Sequence, residues 1–230
     1  MIIEKRGNIF TTKAQTIVNT INCVGVMGAG IAYEFRLRHK DMFERYVELC
    51  EKKQIDIGKL WIYKDSDRKI LNFPTKYDWK YPTKEKYLHL GLQKFIDSYQ
   101  KRGIESVAFP LLGAQKGGLN EEKSLEIMHS YLSKCDIDVE IWHFDPMAKD
   151  DLFEKFVAIL QEYDLSTLKK ESGVGLAILK KIVDAVKLEH INSMSSLLQI
   201  KGVGDKTIEK LFEFVMKSSQ EITLLDFIEN

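Results

Sequence analysis

Cysteine is scarce and scattered in this chain of 230 residues: Cys23, Cys50 and Cys135 are an odd number with no Cys-x-x-Cys pair. Neither a disulfide framework nor a structural zinc site is indicated, so no metal is expected. No sign of charge dominates. The 34 Lys and Arg balance 34 Asp and Glu, so net charge gives no argument for nucleic acid or an anionic membrane. No apolar run approaches the roughly 20 residues of a membrane span, and no signal-peptide core follows Met1-Ile2-Ile3-Glu4-Lys5-Arg6. The expectation is a cytoplasmic protein without membrane association. Proline is limited to positions 74, 82, 110 and 146, and none follows Pro146. What remains is a globular composition, 44% hydrophobic and 30% charged, sufficient for one large or two small cored domains.

The most informative stretch is residues 19–32, Asn-Thr-Ile-Asn-Cys-Val-Gly-Val-Met-Gly-Ala-Gly-Ile-Ala. It follows a β-type run at 16–18 and leads into a helical pattern from Ile31. Glycines let a backbone approach a ligand closely, and a helix N-terminus presents unpaired N–H groups to an anion. The residues alone read as strand, phosphate-binding loop and helix, or as an ordinary tight turn. Asn19 and Asn22 add paired donors and acceptors suited to a ribose.

The chain then alternates strands and helices. Residues 2–10 read as a strand broken by Gly7. Ala32, Phe35, Met42, Phe43, Tyr46, Val47 and Cys50 recur at helical steps, with a break at His39-Lys40-Asp41 and His39 solvated. Strands are expected at 59–64 and 69–73 around a turn at 65–68. A second loop, 74–82, holds Lys76, Lys80 and two prolines. Thr83 reads as the N-cap of a helix running to about Arg102. A strand at 106–109 meets a third loop, Leu111-Leu112-Gly113-Ala114-Gln115-Lys116-Gly117-Gly118-Leu119, and Asn120 opens another helix. The loop repeats the logic of the first, so the two could grip a pyrophosphate from opposite sides. A last strand spans 139–144. This order predicts an α/β fold, a mixed sheet with helices on both faces.

After residue 147 the pattern becomes all-helical, giving two expected domains, 1–147 and 148–230. The second carries a weak repeat. Leu168, Gly173, Val174 and Gly175 align with Leu197, Gly202, Val203 and Gly204, and Lys181 with Lys210. The second copy resembles a helix-hairpin-helix, whose Gly-x-Gly turn offers backbone N–H groups to DNA phosphate. Gly202, Gly204 and Lys206 are its candidate contacts. A plain helical accessory domain is the alternative, and the segment's slight acidic excess favours it.

Asn-x-x-Asn followed by Met-Gly-Ala-Gly-Ile-Ala resembles the first ligand loop of the macrodomains, ADP-ribose-binding modules. Within them the first two-thirds of the chain is most similar to the branch of DarG antitoxins and terminal ADP-ribose protein glycohydrolases. The resemblance implies a three-layer α/β/α sandwich that needs no cofactor. It implies ADP-ribose contacts from Asn8, Ile9, Asn19, Gly28, Ala29, Gly30, Ile31, Pro110, Leu112, Gly113, Ala114, Gln115, Lys116, Gly117, Gly118 and Leu119. Phe144 would stack on adenine, with Trp142 the second candidate. Asn8 stands where the family usually carries an adenine-binding Asp, and keeps only the accepting side-chain oxygen. Lys76 matches the lysine that attacks the anomeric carbon in the glycohydrolases, with Asn22 the next catalytic candidate. Such a lysine requires burial or a neighbouring cation, such as Lys80, to depress its pKa. The aspartate of the protein-directed enzymes is replaced by Gly117-Gly118. That absence leans toward the DarG side, toward ADP-ribosylated DNA as substrate and a DarT-like toxin as partner. A binding module without turnover, or a hydrolase of protein-linked or small-molecule ADP-ribose esters, remains open.

Overall fold

The computed structural model describes residues 1–65, 68–148 and 150–228, with residues 219–228 described by backbone alone. The chain divides into two compact units, Met1–Asp145 and Pro146–Asn230.

The first unit is built on strands β1 (Ile2–Gly7), β2 (Thr16–Ile21), β3 (Trp61–Lys64), β4 (Lys69–Pro74), β5 (Ser106–Pro110) and β6 (Asp138–Phe144). They form one sheet in the order β1-β6-β5-β2-β4-β3, parallel throughout except for the antiparallel edge pair β3–β4. Successive side chains on a strand point to opposite faces, and both faces here are apolar. Val18, Leu71, Phe73, Val107, Phe109, Val139 and Ile141 meet α3 (Glu85–Ile96) and α4 (Glu121–Leu132) on one face. Ile17, Ile21, Ile70, Ala108 and Trp142 meet α1 (Gly30–Arg38) and α2 (Lys40–Glu51) on the other. The mixed sheet between two helical layers agrees with the expected fold class. Gly91 lets α3 lie close on the sheet, since a Cβ there would fall 2.2 Å from the Phe73 ring.

This topology places a crevice. From β2 the chain runs through α1 and α2 toward β3 and β4, while from β5 it runs through α4 to β6 on the opposite side. β2 and β5 are neighbours, so loops leaving their C-terminal ends diverge there, the position where open α/β sheets bind ligands.

Some local expectations need correcting. Thr83 is not the cap of α3; Lys84 holds that position without a side-chain bond, and Thr83 instead packs against the third loop. The helix ends at Ile96 and continues to Gly103 only as turns. His39, expected in solvent, is tucked beside the Phe35 ring with Nδ1 3.1 Å from Asp65 Oδ2. Burial holds its pKa down at about 4. The Asp65 N–H donates to the Arg68 carbonyl across the hairpin, while Ser66 and Asp67 of the expected turn lie outside the described residues.

The second unit contains α5 (Asp151–Glu162), α6 (Leu165–Ser172), α7 (Leu176–Ala185), a 3-10 turn at Ser195–Gln199 and α8 (Asp205–Ile228). Asp150 and Asp164 cap α5 and α6 by accepting from Leu152 and Thr167 N–H. Phe156, Leu168, Leu179, Ile182, Leu197, Ile208, Leu211 and Phe212 form its interior, each at most 1% exposed. α8 spans 24 residues, so it is not one of the short helices the pattern predicts.

Candidate active site

The first loop follows β2. Asn22 shapes it from inside. Its Oδ1 accepts from Val24 N–H at 3.0 Å, from Val26 N–H at 3.3 Å and from the Tyr46 hydroxyl at 2.9 Å, while its Nδ2 donates to the Val26 carbonyl. The side chain is 7% exposed and its polar atoms are spent on the loop. Asn22, the second catalytic candidate, thus braces the first loop from within. Asn19 departs from expectation. It is 0% exposed, donates to Asn72 Oδ1 at 2.9 Å, and does not reach the cleft. Its period-2 position sends it to the α1–α2 face, where a ligand has no access.

Beyond Asn22 the loop opens. Gly28, Ala29 and Gly30 are exposed, and Gly30 sits at φ +58° where the helix starts. α1 has no side-chain cap and no acidic residue in its first turn. The leading N–H groups of a helix have no partner within it, so Gly30, Ile31 and Ala32 offer donors and the positive dipole end to an anion.

The third loop follows β5 and folds into a 3-10 turn, Gln115–Gly117. The N–H groups of Gly117, Gly118 and Leu119 are used within it, donating to Ala114, Gln115 and Gly113 carbonyls at 2.8, 3.0 and 3.0 Å. α4 does not supply a second phosphate terminus as expected. Asn120 Oδ1 accepts from Lys123 N–H, and Glu121 and Glu122 occupy the first turn, where they repel an anion. The turn itself, with Gln115, Lys116 and Gly118 exposed, faces the first loop. A Cβ on Gly30 would lie 3.6 Å from Lys116 Cγ. Leu112 is 0% exposed and Ile9 7%; both belong to the core and contribute no side chain to the cleft.

The second loop ties these together. The Cys23 N–H donates to the Tyr77 carbonyl at 2.9 Å, and the Thr83 N–H donates to the Gly117 carbonyl at 2.8 Å. Between these pins Lys76 extends toward the third loop, with Nζ donating to the Lys116 carbonyl at 2.7 Å. Lys76 is half-buried, and that burial lowers its pKa below the ordinary lysine value. Desolvation is the cause; Lys80 does not contribute the effect the sequence allowed for. Lys76, Lys116 and Gly30 thus stand together where three loops meet.

At the other end, Phe144 closes β6 and is 58% exposed, paired in register with Gly7 beside Asn8. Its ring is free to stack. Trp142, the second stacking candidate, is excluded, since it is 9% exposed with Nε1 donating to Glu140 Oε2 at 2.7 Å. Asn8 Oδ1 accepts from Phe10 N–H at 3.0 Å, capping the 3-10 turn at Ile9–Thr11. A carbonyl oxygen has a second lone pair, so this cap leaves one acceptor site.

In the second unit the two Gly-Val-Gly segments are equivalent turns. Gly173 at φ +65° ends α6 and Gly202 at φ +98° precedes α8, while nothing lies within 4 Å of a Cβ on Gly175 or Gly204. Val174 and Val203 are buried beneath them. The matched lysines are exchanged between copies. Lys181 Nζ donates to the Lys201 carbonyl at 3.1 Å and Lys210 Nζ to the Gly173 carbonyl at 2.8 Å. The weak repeat is therefore a pair of hairpins braced by each other's helix.

Among the described residues no group of three or more His, Cys, Asp or Glu side chains is placed to hold a metal ion, and no helix is long and apolar enough to cross a membrane.

Comparison with known proteins adds four findings. Residues 18–128 match the Macro domain family. A DNA ADP-ribosyl glycohydrolase of Thermus aquaticus is 35% identical over 146 residues, which cover 62% of this chain and 40% of that protein. This chain therefore spans about two-fifths of the length of the curated relative it matches. Among solved structures, the macrodomain of Mycobacterium tuberculosis DarG superposes with TM-score 0.60 at 37% identity, covering 62% of this chain and 97% of that one. Thermosipho africanus DarTG in complex with ADP-ribose superposes with TM-score 0.58 at 32% identity, covering 60% of this chain and 40% of that one.

Proposed function

Because this chain belongs to the macrodomain family, we propose that it is an ADP-ribosyl glycohydrolase that removes ADP-ribose from DNA. The observation that carries the reading is Lys76. It is a half-buried lysine with a lowered pKa, held against the third loop beside an uncapped helix N-terminus.

Each part of the cleft has a task in this reading. The α1 N-terminus and the turn at Gln115–Gly117 hold the pyrophosphate. Phe144 stacks on adenine and the free acceptor site of Asn8 takes its amino group. The distal ribose then lies at Lys76. The neutral Nζ attacks the anomeric carbon, the bond from that carbon to the nucleobase breaks, and the base leaves with a proton. Water then hydrolyses the lysine adduct, giving free ADP-ribose and the original amine. Burial matters because only the unprotonated amine is a nucleophile. The second unit presents DNA phosphate to its hairpin N–H groups at Gly202 and Gly204, with Lys206 adjacent. The setting is a cytoplasmic one with a DarT-like toxin as the source of the modification.

One observation favours a second reading. Lys76 Nζ already donates to the Lys116 carbonyl, so the lysine could serve as a latch in a binding module without turnover. Incubating the full chain with an ADP-ribosylated oligodeoxynucleotide and, separately, an ADP-ribosylated glutamate peptide separates the possibilities. Release of ADP-ribose from the oligonucleotide alone is expected. Release from the peptide alone, or from neither, would refute the proposal.

A further inference from the structure

The second loop carries an exposed aromatic surface that the cleft chemistry does not use. Tyr77, Trp79 and Tyr81 are 59%, 52% and 65% exposed, at alternate positions of one short segment. Large aromatics left in water at this density call for an occupant. The loop is held in shape. Its ends are pinned to Cys23 and Gly117, the Lys80 N–H donates to Asp78 Oδ1 at 3.0 Å, and the Tyr81 N–H donates to the Asp78 carbonyl at 3.2 Å. Pro74 and Pro82 bracket it. The rings are therefore presented on a pre-set backbone, so little order is lost when something stacks on them.

Charge identifies the occupant. The chain as a whole is neutral, yet residues 75–87 hold Lys76, Lys80, Lys84 and Lys86 against only Asp78 and Glu85. Lys80 Nζ lies 5.6 Å from the Trp79 ring centre, and Lys84 and Lys86 flank Tyr87 at 6.0 and 5.8 Å. Flat rings interleaved with cations suit alternating bases and phosphates of a single strand, whose base faces are free to stack. In a duplex those faces are covered. Position agrees as well. Trp79 follows Lys76 by three residues, a reach of at most about 10 Å. Lys76 marks the bond that breaks, and the nucleobase side of the substrate must lie beyond it.

We propose that Tyr77, Trp79 and Tyr81 form a stacking platform for the unpaired bases flanking an ADP-ribosylated nucleotide, with Lys80 and Lys84 on the adjoining phosphates. This rests on the DNA-directed reading of the cleft and assigns the contacts to the strand beyond the modified nucleotide to this loop.

Trp61 is half-buried and Trp142 is 9% exposed, so Trp79 is the tryptophan that faces solvent. Titrating the full chain with a short unmodified single-stranded oligodeoxynucleotide should quench its emission, and the matching duplex should quench it far less. Trp79→Ala and Tyr81→Ala should each raise KM for an ADP-ribosylated oligonucleotide about tenfold. Turnover of an ADP-ribosylated mononucleoside should be unchanged, and Trp79→Phe should restore most of the oligonucleotide KM. Unchanged KM in the alanine variants, equal quenching by duplex, or a loss seen only with an ADP-ribosylated peptide would overturn the platform. If the wild-type chain binds the single strand but hydrolyses neither modified DNA, the cleft reading fails and the platform stands.

Discussion

Replacing Gly113 with Ala tests how the second and third loops are joined. Gly113 sits at φ +69°, and a Cβ there would lie 2.7 Å from Thr83 Cγ2, 3.2 Å from Thr83 Cβ and 3.3 Å from Thr83 Oγ1. The left-handed backbone costs an alanine about 1–2 kcal/mol. The contact adds an overpacking cost of ~1–3 kcal/mol, because Thr83 is short, 7% exposed and tethered through its own N–H to Gly117. A loss of roughly 3 kcal/mol should follow, or about 10 °C in Tm for a domain of this size. Thr83→Ala separates the two costs. Its hydroxyl is buried without a partner, so removing it offsets the lost methyl and the single variant should be nearly neutral. In the double variant Cγ2 and Oγ1 are gone, and the backbone cost persists with the 3.2 Å approach of the two Cβ atoms, giving a coupling of about 1–2 kcal/mol. Urea unfolding of the full chain reads this cleanly, since Trp61, Trp79 and Trp142 all lie in the first unit. Strictly additive losses would refute the packing account of Gly113.

Asn22→Ala removes the brace of the first loop and frees the Tyr46 hydroxyl. It should destabilise by ~1–3 kcal/mol and weaken ADP-ribose binding about tenfold by calorimetry, with kcat nearly unchanged. His39 should stay neutral in the folded chain until pH approaches about 4. The unfolded chain protonates near pH 6.5, so stability present above that value is lost as pH falls toward 4, by at most roughly 3 kcal/mol. His39→Gln should flatten that slope in pH-dependent denaturation. In the second unit, Gly202→Val with Gly204→Val should weaken DNA binding equally for all sequences, with a shallow salt dependence and unchanged ADP-ribose affinity. Salt-independent or sequence-selective losses would count against backbone contacts.

Periodicity made the layers legible. Phe35, Met42, Tyr46 and Cys50 are spaced as one helical face and all are buried, and the alternation of 17 with 18 and 107 with 108 sorts the strand residues between layers. The glycine signals likewise located the first and third loops, because positive φ and close approach leave few other choices of residue. Tertiary bonds were not legible. Asn19 and Asn22 look alike in sequence, yet strand alternation buries one against Asn72 and the loop consumes the amide of the other. Thr83 has the composition of a cap, but the carbonyl of Gly117 and the space beside Gly113 draw it away from the helix. The exchange of Lys181 and Lys210 needed the three-dimensional pairing of the hairpins, since neither carbonyl partner is near in the chain. Asn8 could be read as a turn residue or a base contact, and its oxygen already serves the turn.

The most direct test of the account is the turnover of ADP-ribosylated oligonucleotide by Lys76→Ala and Lys76→Arg, measured beside ADP-ribose affinity and across pH. Arginine keeps a cation and a donor for the Lys116 carbonyl but stays protonated, so it preserves a latch and abolishes a nucleophile. The account predicts that both variants lose on the order of a hundredfold or more in kcat. Affinity should stay within about tenfold, ~1.4 kcal/mol. In the wild type, kcat should rise with pH as Lys76 deprotonates and level off below the ordinary lysine value of 10.5. Full activity in Lys76→Arg, or turnover in Lys76→Ala equal to the wild type, would contradict the central claim.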